Sequence, residues 1–150
     1  MNGPKASGPE PAEGARLRTF FEHLAPADLD DLGRIYADQS RFRDPFNDVE
    51  GVAAIRRIFA DMFERAPDAR FTIHEVVGVP PLLYVRWGFL FTPGRAQAPW
   101  EVEGVSRLVL GEDGRIIDHT DYWDPATGIY ERLPLIGVLL RWLRRRLSAG

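Results

Sequence analysis

Apolar positions change their spacing near residue 70, dividing the chain into a helical first half and an extended second half. In RLRTFFEHL, residues Leu17, Phe20, Phe21 and Leu24 fall on one stripe of a helix. APADLDDLGRIYADQ repeats the spacing with Leu29, Leu32 and Tyr36, behind a Pro26 suited to a first helical turn. These two segments are expected to form a helical hairpin. RFRDPF is too short and too polar for another helix, and a residue before proline is pushed toward extended geometry. Asp44 is therefore expected on a short strand or at its exit. EGVAAIRRIFADMFERAP then aligns Val52, Ile55, Phe59, Met62 and Phe63 on one helical face and stops before Pro67.

Four β-rich runs follow: RFTIHEVVGV, LLYVRWGFLF, APWEVEGVSRLVL and RIIDHTDYW. Between them stand Pro80-Pro81, Pro93-Gly94 and GEDG, turn signals at hairpin spacing, so four antiparallel strands are predicted. The segment ATGIYERLPLIGVLLRWLRRRL returns to helical spacing, with Ile129, Leu133, Ile136, Leu140, Leu143 and Leu147 at steps of four and three, interrupted at Pro134. Helices first and an antiparallel sheet after predict an α+β fold, in which helices cover the apolar face of a curved, cone-shaped sheet.

Alternation assigns inner and outer faces to the strands, because neighbouring side chains point to opposite sides. Trp100, Val102, Gly104, Ser106, Leu108 and Leu110 form one inner face, with Gly104 leaving a dent beside the Ser106 hydroxyl. Val85, Trp87, Phe89 and Phe91 form a second, leaving Arg86 outside. The last strand has mixed faces: Ile117, His119, Asp121 and Trp123 against Ile116, Asp118, Thr120 and Tyr122. If the first set points inward, an imidazole and a carboxylate about 7 Å apart along the strand converge on the cavity. Such groups are costly to bury without a partner or a purpose.

Composition narrows the classes of function. A length of 150 residues suits one domain, with residues 1–14 a disordered tail of Pro, Gly, Ala and Glu and the fold beginning at residue 15. The absence of cysteine excludes disulfides, thiolate zinc sites and cysteine nucleophiles, and suits a cytoplasmic protein. A formal charge of -3 lacks the basic excess on which nucleic-acid binding relies. No secretory signal or membrane span is read. His23, His74 and His119 show no metal-ligand spacing, no Gly-rich loop follows a strand, and no serine sits in a nucleophile elbow, so neither metal nor cofactor is expected.

The run from Arg18 through Asp44-Pro45, with DLDDLGRIYADQSRFRDP, and the closing DHTDYWD resemble the nuclear transport factor 2-like superfamily, in its SnoaL-like and ketosteroid isomerase-like branch. The resemblance covers nearly everything after the tail and implies a cystatin-like roll around a small-molecule pocket. It puts Asp44 in the place of the isomerase's proton-shuttling base, and Asp121 in that of the acid/base aspartate of epoxide hydrolase and polyketide cyclase relatives. The isomerase's oxyanion-hole tyrosine and aspartate are replaced by Phe20 and Ser106. The hydrolase's arginine and aspartate on the preceding strand are replaced by Gly104 and Ser106.

The candidate catalytic residues are thus Asp121, His119 and Asp44, with Trp123, Ser106, Phe20, Trp87, Tyr36 and Trp100 as candidate substrate contacts. A carboxylate against an apolar wall of Trp123 and Trp87 is placed to move a proton. His119 would assist it or bind the ligand, while Ser106 or Tyr36 would weakly stabilise an enolate. The competing readings are structural: an aspartate holding His119 or a backbone amide, a satisfied sheet histidine, and an Asp44 that only closes a turn. Asp124 before Pro125 has the spacing of a helix N-cap, and Tyr122 is expected to face away from the pocket. The expected function is cofactor-independent proton transfer on a small hydrophobic or polycyclic substrate: isomerisation, aldol-type cyclisation, dehydration or epoxide opening. The alternative is a non-catalytic ligand-binding or scaffold protein of the same fold. A homodimer is expected. The basic last helix is read as packing over the cone's mouth or on a partner, in preference to a membrane surface.

Overall fold

The computed structural model describes residues 8–94 and 96–147. Helix α1 (Ala12–Glu22) leads through a 3-10 helix (Pro26–Arg34) into strand β1 (Tyr36–Arg43), short β2 (Asp48–Glu50) and helix α2 (Val52–Arg65). Strands β3 (Arg70–Val79), β4 (Leu82–Phe91), β5 (Trp100–Leu110) and β6 (Ile116–Trp123) follow. A short helix α3 (Pro125–Gly128), a 3-10 turn (Tyr130–Arg132) and helix α4 (Pro134–Leu147) complete the described residues. The strands make one curved, open sheet in the order β2-β1-β6-β5-β4-β3. All neighbours are antiparallel except β1 and β6, which run parallel. The α+β architecture and the four-strand meander expected from the sequence are both present.

The helical hairpin is not. Its second arm is a 3-10 helix capped where Ala25 N–H donates to Asp28 Oδ2 at 2.8 Å, and the chain from Tyr36 onward is a strand. The match on Leu29, Leu32 and Tyr36 concealed a change of period: Gln39 and Arg41 are exposed while Ser40 and Phe42 are buried. In this position β1 gains ladder partners on both sides, which a helix would forgo, and β6 would be left as an open edge. Tertiary pairing overrides the local helical pattern here.

The helix boundary also differs from the expected tail of residues 1–14, since α1 begins at Ala12. Gly14 lies buried against β3, where a Cβ would stand 2.7 Å from Val76 Cγ1, so a side chain there would push the helix off the sheet. Glu22 Oε1 accepts from Ile73 N at 2.9 Å, and the Arg18 guanidinium donates to Ile73 O, clamping α1 to β3. Residues 1–7, the remainder of that tail, lie outside the described residues. Leu17, Phe21, Leu32, Ile55, Phe59, Leu83, Leu108 and Ile116 form the core between the helices and the sheet. Among the described residues no helix is long and apolar enough to cross a membrane.

Candidate active site

Strand register brings the polar residues of the core into adjacent rows. Val85 pairs with Ser106 and Ser106 with Asp121, one row across β4, β5 and β6. The next row pairs Leu108 with His119 and His119 with Phe42. The mixed faces of β6 are resolved by a bulge: Val109 pairs with Asp118 but Leu110 with Ile116, so Ile117 is passed over. The shift lets Ile116 be fully buried and still turns His119, Asp121 and Trp123 toward the helices, while Ile117 is left 43% exposed. Strict alternation groups Ile117 with His119 on one face, and the bulge is what separates them.

These residues form a chain of hydrogen bonds with a defined direction. Trp87 Nε1–H donates to Ser106 Oγ at 2.8 Å, and indole has no acceptor, so the Ser106 hydroxyl must pass its own proton onward. It donates to Asp121 Oδ1 at 2.5 Å. The same oxygen lies 2.7 Å from His119 Nε2, whose other nitrogen, Nδ1, is 2.8 Å from the Tyr36 hydroxyl. A carboxylate accepts only, which places the proton of a neutral imidazole on Nε2 and makes Tyr36 O–H the donor to Nδ1. Burial pushes the Tyr36 phenol well above its ordinary range, and the charge of Asp121 acts in the same direction, so the phenol keeps the proton it donates. His119 is held among aromatic rings, stacked on Tyr36 at 5.9 Å and met edge-on by Phe42 at 4.8 Å and Phe21 at 6.1 Å. Asp121 is the more accessible of the pair, its side chain 17% exposed against 5% for His119. Both donors reach Oδ1, and Oδ2 has no hydrogen-bond partner among the described residues.

A narrow cavity of about 30 Å³ adjoins this chain. Asp121, His119, Ser106 and Trp87 line it together with Phe21, Phe59, Phe71, Ile73, Val85 and Leu108. One water needs roughly 10–15 Å³ of such space, so the cavity admits two or three waters at most. A larger guest enters only by moving the phenylalanine wall. Gly104 shapes one side: a Cβ there would lie 2.5 Å from Trp87 Cη2, so its absence lets the indole lie against the sheet and reach Ser106. Among the described residues no cluster of three His, Asp or Glu side chains is placed to hold a metal ion.

A family model for the SnoaL-like domain matches residues 17–119. The chain belongs to the SnoaL-like domain family. Solved structures with this SnoaL-like fold include a Catenulispora acidiphila protein of ketosteroid isomerase-like fold, in complex with trimethylamine. It is 15% identical, with a TM-score of 0.69 over 81% of this chain and 92% of that one. A candidate SnoaL-like polyketide cyclase from a Jannaschia species is 18% identical, with a TM-score of 0.66 over 83% and 94%. IdmH, a candidate polyketide cyclase from Streptomyces antibioticus, is 16% identical, with a TM-score of 0.66 over 79% and 96%. At these identities the likeness is one of fold. No curated protein matches the sequence.

Within this SnoaL-like frame the expected site residues separate into two groups. Asp121, His119, Ser106 and Trp87 meet at the cavity, and Tyr36 stands directly behind His119, fully buried. Asp44 is elsewhere: its Oδ1 accepts from the backbone N–H of Phe46 and of Asn47, each at 2.7 Å, closing the turn between β1 and β2. That carboxylate does not line the cavity, and its local hydrogen bonds match the structural reading of Asp-Pro. Phe20 packs outside the cavity, edge-on to Phe21 at 5.2 Å, and Phe21 supplies the lining side chain. Trp123 packs edge-on against Phe46 at 5.5 Å, and Trp100 lies under the Arg132 guanidinium at 5.2 Å, so neither reaches the cavity. Phe59 and Phe71, both lining, were not singled out from the sequence. Phe59 lay on a recognised apolar helix face, but nothing in its spacing told cavity from core. Asp124 caps α3 by accepting from Ala126 N at 2.9 Å, and Tyr122 faces out with 57% exposure, both as expected.

Proposed function

We propose that this SnoaL-like domain is a cofactor-independent proton-transfer catalyst in which Asp121 is the acid/base group. The observation that carries the reading is the asymmetry of its carboxylate on the cavity wall: Oδ1 accepts from both Ser106 and His119, while Oδ2 has no hydrogen-bond partner among the described residues. Two donors on one oxygen fix the carboxylate's rotation, which is the positioning a general base needs. His119 has both nitrogens engaged and acts as a positioning residue, and Tyr36 holds its tautomer.

The cavity limits the chemistry. Every side-chain donor among its lining residues is spent inside the chain of hydrogen bonds, Trp87 on Ser106 and both Ser106 and His119 on Asp121. An enolate formed there receives no free donor from them, so the fitting substrate spreads its own charge, as an activated ketone or 1,3-dicarbonyl does. Isomerisation, aldol-type cyclisation and dehydration at such a carbon are compatible with one carboxylate, and epoxide opening would use the same base on a water. The small volume also favours a second, non-catalytic reading, in which the network holds the core together and any guest is only bound.

Deuterium exchange in D2O, followed by proton NMR on a panel of monocyclic and bicyclic ketones that includes 2-tetralone, separates these readings. Asn in place of Asp121 can still accept from Ser106 and His119 through its amide oxygen but offers no basic lone pair. Loss of exchange in Asp121→Asn with retained ligand-induced thermal shift is the expected result. Unchanged exchange would remove Asp121 from the mechanism, and binding without exchange in the wild type would favour the non-catalytic reading.

A further inference from the structure

We propose that α4 is an interfacial helix that docks the domain on an anionic lipid surface. Val138, Leu139 and Trp142 are 59%, 56% and 49% exposed, and Leu147 is 82% exposed. At 100° per residue the first three fall within an arc of about 100°. Large apolar side chains on one exposed helical arc are unusual on a protein surface that meets only water. Among the described residues, α4 packs on the adjacent turn Tyr130–Arg132. Among the described residues no α4 side chain lines the cavity. The sequence favoured packing over the cone's mouth or on a partner; the exposed arc of Val138, Leu139 and Trp142 is what favours a lipid surface here.

Charge selects the occupant. The sequence of α4 holds four arginines, at 141, 144, 145 and 146, and no acidic residue. With the whole chain at -3, the helix stands at +4 and the rest of the protein at -7. An anionic surface therefore attracts this one element and repels the body, which orients the domain with α4 down. A symmetric pairing of two α4 faces would instead leave both arginine clusters without a counter-charge on the facing helix, since α4 carries no acidic residue. The helix has 14 residues, which at 1.5 Å each span about 21 Å, too short to cross a bilayer and suited to lying along it. Trp142 on the exposed arc is a side chain favoured at the lipid-water boundary.

The test is co-sedimentation of the full chain with extruded vesicles of phosphatidylcholine alone or with 30% phosphatidylglycerol, at low and at 0.5 M salt. Binding is expected only to the anionic vesicles and weaker at high salt. Each arginine near such a surface is worth about fivefold in partitioning, so Arg144→Gln with Arg145→Gln should weaken binding by roughly thirtyfold. Leu139→Glu should abolish it with an unchanged thermal midpoint, since the position is exposed. No binding to anionic vesicles, equal binding to both compositions, or full binding by the double arginine variant would overturn the proposal. So would light scattering that shows a dimer lost in Leu139→Glu while vesicle partitioning is unaltered, which assigns the arc to a second copy of the chain.

Discussion

Gly104→Ala adds one methyl group where the Trp87 indole leaves no room for it. The new Cβ would stand 2.5 Å from Trp87 Cη2 and 3.0 Å from Cε2, against about 3.5–4.0 Å for ordinary carbon contacts. The ring must retreat by roughly 1 Å, and Trp87 is only 6% exposed and packed edge-on against Phe71 at 5.9 Å. Overpacking of this kind costs about 1–3 kcal/mol. Retreat also breaks the 2.8 Å bond from Nε1 to Ser106, for a further ~1 kcal/mol. Alanine's smaller loss of backbone entropy offsets about 0.5–1 kcal/mol, leaving a net loss of roughly 1–3.5 kcal/mol. The urea midpoint should fall with an unchanged m-value, and the thermal midpoint should drop by roughly 2–14 °C for a chain of this length. The clash is specific to the far ring of the indole, so the cost should largely vanish in a Trp87→Phe background, where that ring is absent. A wild-type midpoint in Gly104→Ala, or the same loss in both backgrounds, would refute it.

Asp44→Ala should cost about 1–2 kcal/mol, because it strips the β1–β2 turn of its acceptor, and should leave any exchange activity intact; a large loss of activity at full stability would return Asp44 to the mechanism. Tyr36 sets the alkaline limit. Its pKa is raised in the folded state, so the stability it contributes is complete below the unfolded value of 10.0 and is lost as pH rises toward the folded value. Between pH 9 and 11 the unfolding free energy read from urea curves should fall by about 1.4 kcal/mol in total on account of this group, a component missing in Tyr36→Phe. That variant should also be roughly 1–3 kcal/mol less stable at pH 7, since His119 Nδ1 loses its buried donor.

Much of this architecture is legible in the order of residues because it depends on short-range periodicity. Alternation in WEVEGVSRLVL put Gly104, Ser106 and Leu108 on the inner face, where all three are buried. The dent at Gly104 was visible too, though not that Trp87 fills it. Asp124 before Pro125 capped its helix as its local chemistry required. Phe20 and Phe21 show the limit, since two neighbouring apolar residues on one stripe differ by only 100° around a helix. Which of them meets the cavity depends on how α1 rolls on β3, and that is set by Gly14 against Val76 and by the Arg18 and Glu22 clamps on Ile73.

The same division holds for the site. Residue order alone determined the strand meander, the inward face of β5 and the presence of a histidine and an aspartate two positions apart near the chain's last strand. Only the tertiary structure decided that YADQSRFR is a strand, because its partners on β2 and β6 are distant in sequence. It also decided, through the bulge at Ile117, that His119 and Asp121 face inward. It removed Asp44 from the pocket and put Tyr36 behind His119. The reason is physical: periodicity states which face a side chain takes within its own element, whereas hydrogen bonds that converge on Asp121 from Trp87 through Ser106 and from Tyr36 through His119 need the register among β1, β4, β5 and β6, which only long-range pairing supplies.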